Sequence, residues 1–156
     1  MGEGNKFCEE RGELIFLRYA FPATECCKHV EVSSEEKKDF EIMLKYGGIP
    51  SRKRLEEIFP NAVRHLKSWD SKNVRDYWCR EHNKIVSDNK LCMVYGFEVS
   101  NVSPPENGEI CIARVKGIES LRAKSYLELG AGDLISIHAS QVAEKLSQED
   151  YIKYFI

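Results

Sequence analysis

Leu91-Cys92-Met93-Val94-Tyr95-Gly96-Phe97-Glu98-Val99-Ser100-Asn101-Val102 is the stretch on which the reading of this chain turns. Met93, Tyr95, Phe97 and Val99 alternate with Val94, Gly96, Glu98 and Ser100. A period of two marks a strand with one strongly apolar face. Forward of it, Val102 to Gly108 is rich in turn residues and ends in Asn107-Gly108, a hairpin signal. Glu109 to Val115 reads as a returning strand. Leu121, Ala123 and Leu127 on one face, with Arg122 and Lys124 on the other, give a third. Gly130 to Gly132 turns the chain into a fourth over Asp133 to Ala139, and Val142 and Leu146 continue the apolar pattern. Ser147 is placed to cap a short final helix. Four or five short strands in about 55 residues predict a small closed or nearly closed barrel.

Backward of the same stretch the period changes to that of helices. Ser33 or Ser34 can cap a helix bearing Phe40, Ile42, Met43 and Leu44, which Gly47-Gly48 stops. Pro50-Ser51 opens another, with Leu55, Ile58 and Phe59, and Pro60-Asn61 restarts the chain toward Val63, Leu66 and Trp69. Ser71 is read as the cap of a last helix, with Val74, Tyr77, Trp78 and Ile85 on one buried side. Leu14-Ile15-Phe16-Leu17 is too short a run to assign to helix or strand, and residues 1–12 read as a loose tail. The expected fold is therefore α+β: a helical N-terminal domain over residues 1–88, then a small OB-like β-barrel with a short C-terminal helix over residues 89–156. Trp69 and Trp78 are expected in the core, and His65 and His82 on helix surfaces or in satisfied core positions.

Composition bounds the function. Of the 156 residues 42% are hydrophobic and 31% charged, which suits a folded globular chain and argues against wholesale disorder. No apolar run approaches the ~18 residues a membrane span needs, and Met1 to Arg11 is polar with no leader-like hydrophobic region. A cytoplasmic location without membrane association is the expectation. With no export signal read, the six cysteines are expected to be free thiols, and because none forms a Cys-x-x-Cys pair a structural zinc site lacks its usual spacing. Cys26, Cys27 and His29 are the nearest approach to a metal cluster, against the simpler reading of ordinary, partly buried thiols. From Lys90 onward seven Lys/Arg face nine Asp/Glu, so a concentrated phosphate-tracking face is not expected and nucleic-acid binding is disfavoured. No nucleophile elbow, P-loop, dinucleotide fingerprint or His-Glu-x-x-His pair occurs. The chain is expected not to be an enzyme, and no tightly bound cofactor is expected.

Strand parity singles out two residues. Cys92 is out of phase with the apolar face of the first strand. Burial of Ile135 and Ile137 in the fourth puts Ser136 and His138 on the opposite side. A thiol and an imidazole that converge can hold one soft metal or one reactive ligand; the plainer alternative is an inert thiol and a surface histidine.

The same residues carry a resemblance. Leu91-Cys92-Met93-Val94, Gly117 to Leu127, Gly132-Asp133-Leu134-Ile135-Ser136-Ile137-His138-Ala139 and Glu144 to Asp150 resemble, in order and spacing, the small chaperones of nickel–iron hydrogenase assembly. The likeness covers about residues 91–152, with Cys92 and His138 46 positions apart, and leaves the first 90 residues untouched. It implies a barrel that binds maturation proteins or a hydrogenase large subunit and carries iron transiently, with Cys92 and His138 as cargo ligands and Gly132-Asp133 as barrel motif. Such a protein is a carrier or scaffold with no turnover of its own. Two other readings stand beside it. One is a protein-interaction module that keeps the barrel, binds its partner through the helical half and uses neither Cys92 nor His138; the other, less favoured, is a single-stranded nucleic-acid-binding barrel with Tyr95 or Tyr126 as stacking platforms.

Overall fold

A computed structural model describes residues 11–21, 32–88, 92–103 and 111–156. The helical part holds α1 (Gly12–Ala20), α2 (Ser34–Tyr46), α3 (Arg52–Ile58), α4 (Pro60–Arg64) and α5 (Ser71–Asp76). α5 continues through a π-turn, Tyr77–Glu81, into α6 (His82–Ile85). The strands are β1 (Tyr95–Ser103), β2 (Cys111–Val115), β3 (Ile118–Ser125), β4 (Leu134–His138) and β5 (Gln141–Leu146), and α7 (Gln148–Phe155) follows. The expected α+β architecture, with a helical N-terminal part, a small barrel and a terminal helix, is what forms.

Local signals set most helix ends. Ser33, Ser51 and Ser147 each accept a hydrogen bond from the backbone N–H three residues on, which satisfies one of the four orphan donors at a helix start. Gly47 closes α2 at φ 78°, a left-handed conformation open to glycine without a Cβ clash. Asp70, and not Ser71, caps α5, its carboxylate accepting from Asn73 N–H at 2.8 Å. The one-sided last helix expected from Val74 to Ile85 is also corrected. The π-turn inserts a wider turn, so beyond Trp78 the buried side moves: His82 is 3% exposed while Ile85 is 55% exposed. Ile42 likewise faces solvent, Trp69 is half-buried and His65 is exposed.

The run left unassigned, Leu14 to Leu17, lies in the most buried element of the molecule. Every residue of α1 from Gly12 to Ala20 is buried, so it shows no amphipathic period, as expected of a helix covered on all sides. Phe16 packs against Phe59, Trp69 and Trp78, and Tyr19 stacks on Trp78. Glu13 is ion-paired with Arg52 at 2.6 Å, which supplies the partner that a buried charge requires.

The barrel closes in the order β1-β2-β3-β5-β4, the OB-like arrangement expected. A bulge between Val99 and Asn101 lets β1 pair with β4 over Tyr95–Glu98 and with β2 from Val99 to Ser103. β3 and β5 run parallel and pair at Lys124 and Gln141. Gly132 and Asp133 serve this closure: Gly132 N–H donates to Val99 O at 2.9 Å, and Asp133 O accepts from Val99 N–H at 2.8 Å. Gly132 sits at φ 93°, which an L side chain would strain. The two parts share a core, since Val94 and Ala143 belong to the apolar cluster built around α1.

The start of α1 is tight. A Cβ on Gly12 would lie 1.7 Å from the Trp69 carbonyl oxygen, a backbone atom with little room to yield. Gly12→Ala is expected to lower stability by about 2 kcal/mol or more, read as a drop in the urea midpoint with an unchanged slope.

Candidate functional site

The sequence points to Cys92 and His138. Both are 0% exposed. Parity is right that His138 lies opposite the barrel-facing side of β4, but its own side is covered by α1, so the plainer alternative of a surface histidine does not describe it. Nδ1 of His138 lies 2.5 Å from Tyr19 O; a carbonyl only accepts, so Nδ1 carries the proton. Gln141 Nε2 donates to Arg18 O at 3.2 Å. The last carbonyls of a helix lack intrahelical partners, and these two barrel side chains take up those of Arg18 and Tyr19. Arg18 Nη1 donates back to Ala143 O at 3.0 Å.

A polar network continues beside it. The Tyr19 hydroxyl donates to Glu144 Oε1 at 2.7 Å and meets Ser136 Oγ at 2.8 Å and Cys79 Sγ at 3.5 Å. Glu144 in turn receives Arg75 Nη2 at 2.8 Å, and Arg75 Nη1 reaches Asp150 at 3.3 Å. Burial pushes the Cys79 thiol up to about 12 and Tyr19 well above the usual phenol value, so both stay protonated. A thiol in that state is a poor nucleophile. Asn83 brackets the entry to β1, accepting from Val94 N–H at 2.7 Å and donating to Val94 O at 2.8 Å.

His82 and His138 face each other with ring centroids 4.9 Å apart, beside Trp78. Burial, and then the neighbouring His138, brings His82 down to about 4; a contact with Asn83 opposes this. Burial also lowers His138, although the backbones of Tyr19 and Cys92 favour its charged form. His138 Nε2 makes no hydrogen bond of acceptable geometry. Among the described residues no three His, Cys, Asp or Glu side chains gather to hold a metal ion. Cys79, Cys92 and Cys111 are free thiols. Cys26, Cys27 and His29 lie outside the described residues.

A second feature was not singled out by the sequence. The barrel interior opens at one end into a cavity of about 500 Å³. Met93, Tyr95 and Phe97 form one wall, Ile118 and Leu121 of β3 another, and Ile137 with the turn residues Ala139 and Ser140 the third. The first three are the apolar face read from the decisive stretch; nothing local shows that this face borders a void. Ala139 and Ser140 adopt φ 51° and 65°, the left-handed region that L residues enter at a cost of roughly 1–2 kcal/mol each. The turn is held from three sides: by Lys124 N–H donating to Ser140 O at 3.0 Å, and by His138 and Gln141 anchored on α1.

Comparison with protein families, curated proteins and solved structures finds no match. No helix among the described residues is long and apolar enough to cross a membrane.

Two expected outcomes test the buried network. Tyr19→Phe leaves Glu144 and Ser136 short of a partner and is expected to cost about 2 kcal/mol by chemical denaturation. The histidines set a pH dependence. With His82 at about 4 when folded and about 6.5 when unfolded, the unfolded state binds the extra proton between those values. Stability is therefore full above pH 6.5 and falls as pH drops toward 4, by about 3 kcal/mol for His82 alone. Urea midpoints between pH 7 and 5 should show this fall, and His82→Gln should flatten it.

Proposed function

We propose that this chain is a non-enzymatic binding protein whose barrel mouth receives an apolar group, with Cys92 and His138 serving the architecture. The observation that carries the reading is the chemistry of the cavity wall. Six of its eight lining residues are Met, Phe, Ile, Leu or Ala, and no carboxylate, imidazole, thiol or amine lines it. A pocket of this size and polarity suits an apolar ligand or side chain and offers no acid, base or strong nucleophile for turnover. This shares with the interaction-module alternative the disuse of Cys92 and His138, but moves the binding surface from the helical half to the barrel mouth. The tyrosine proposed as a stacking platform, Tyr95, is part of the cavity wall, while Tyr126 packs against the α1 cluster, which disfavours a nucleic-acid platform.

One observation favours a second reading, the carrier of transient iron resembling the hydrogenase-assembly chaperones. The proton on Nδ1 of His138 leaves Nε2 as an electron-pair donor, and the Cys92 backbone lies close to the ring. Both residues are fully buried and His138 lies under the helical part, so loading cargo on it, as opposed to in the mouth, requires the helical part to lift from the barrel.

The test is an amide NMR titration of the full chain with indole. Shifts are expected at Tyr95, Phe97, Leu121 and Ile137, and Ile118→Trp, which plugs the rim, should abolish them. A titration that leaves those amides unmoved overturns the proposal. Protein isolated anaerobically from a host with hydrogenase-assembly machinery, retaining iron that Cys92→Ala loses, would put the carrier reading in its place.

A further inference from the structure

The wall of the mouth formed by β3 is also a strand edge. β3 pairs with β2 from Ser125 back to Arg122 and again at Ile118, with a bulge over residues 119–121 between them, but with β5 only at Lys124. The reason is the turn at Ala139–Ser140, which begins β5 at Gln141, opposite Lys124. Ahead of that point, among the described residues, no strand pairs with the side of Ile118–Ala123 turned away from β2, and Ile118 and Leu121 line the cavity mouth. An exposed strand edge is a template for another extended chain.

Past the bulge, from Leu121 onward, the side chains of this strand alternate between two faces. Leu121 lines the mouth and Ala123 is buried in the barrel core. Arg122 and Lys124 are exposed on the other face. Arg114 of β2 stands directly opposite Arg122 in the register, with its guanidinium on the Ser103 hydroxyl. Like charges directly across a ladder are unfavourable. Among the described residues neither Arg122 nor Lys124 has an ion-pair partner, whereas neighbouring Lys116 is paired with Glu98. A chain with net charge −2 thus gathers three cations on one two-stranded face beside an open edge and an apolar hole.

We propose that the edge Ile118–Ala123 binds an extended peptide segment of a partner protein in which apolar and acidic residues alternate. The segment adds a strand along β3, in line with β5. Its apolar side chains drop into the mouth past Ile118 and Leu121, and its carboxylates meet Arg122, Lys124 and Arg114. Backbone pairing supplies affinity, while alternate side chains supply specificity, as in other strand-addition complexes. A single-stranded nucleic acid fits less well. Tyr95 and Phe97 point into the mouth on the opposite side of the sheet from the cations, so bases cannot stack where phosphates are neutralised. The inference rests on the mouth as a binding site and adds the chemistry of its occupant.

The experiment is an amide NMR titration of the full chain with three probes. These are a ten-residue peptide alternating valine and glutamate, the same length alternating valine and lysine, and a ten-nucleotide oligothymidylate. The valine–glutamate peptide is expected to shift the amides of Ile118 to Ala123 and slow their hydrogen exchange. Arg122→Glu with Lys124→Glu, both on exposed positions, should weaken it by about tenfold or more, and Arg122→Gln with Lys124→Gln by less. Silence at Ile118–Ala123, equal binding of the valine–lysine peptide, or indifference to the charge reversal overturns the proposal. Preferred binding of the oligonucleotide overturns it as well and gives the face to nucleic acid. If indole still binds while the acidic peptide does not, the mouth stands and its assigned occupant falls.

Discussion

α1 has no solvent face, and the rest of the molecule follows from how that is made tolerable. A nine-residue helix buried on every side gains from its apolar run but must also settle its two charges and its terminal backbone groups. Glu13 reaches out to Arg52, and Arg18 reaches across to Ala143 O. The carbonyls of Arg18 and Tyr19 are taken by Gln141 and His138. The helical part and the barrel are therefore joined by polar contacts of fixed geometry as well as by apolar area. Such a seam specifies one docking, because a shifted register would leave several buried polar groups unmatched.

Much of the fold is legible in the sequence because its signals are local. Ser33, Ser51 and Ser147 cap helices within three residues of themselves, Gly47 ends one, and the alternation from Met93 to Val99 is visible without any partner. What is not legible is long-range. Leu14 to Leu17 shows no period because burial all round erases the polar face on which period detection depends. The π-turn that turns His82 inward and Ile85 outward has no residue signature. His138 illustrates the same limit at the candidate site. Parity fixes which side of β4 it occupies, but only the tertiary structure reveals that α1 covers that side and that the ring takes up one of its terminal carbonyls. The mouth is similar: the apolar wall of Tyr95 and Phe97 is readable, and the void in front of it depends on where β3 and the Ala139–Ser140 turn stop.

The turn connects both halves of the functional argument. Ala-Ser is a poor sequence for two left-handed residues, where Asn-Gly is preferred, and it persists because its flanks are pinned on α1 and its carbonyl on Lys124. The same turn delays β5, leaves β3 half paired and walls the cavity. Strain at a site edge, held by a distant element, is a common way to keep a binding surface preorganised. Here the holding element is the buried helix. The polar residues that resemble metal ligands and the apolar residues that form the mouth thus belong to one arrangement, seen from its two faces.

The bonds that bury α1 also impose an order in time. Tyr19 meets Ser136 and Glu144 across separations of 117 and 125 residues, and chains rich in such distant contacts fold slowly. During synthesis α1 emerges well before the strands that cover it. Until β4 and β5 are released, Leu14, Phe16 and Leu17 lack the barrel side of their cover, a sticky interval for a nascent chain. The centre of this protein is completed only by strands that the ribosome delivers long after it.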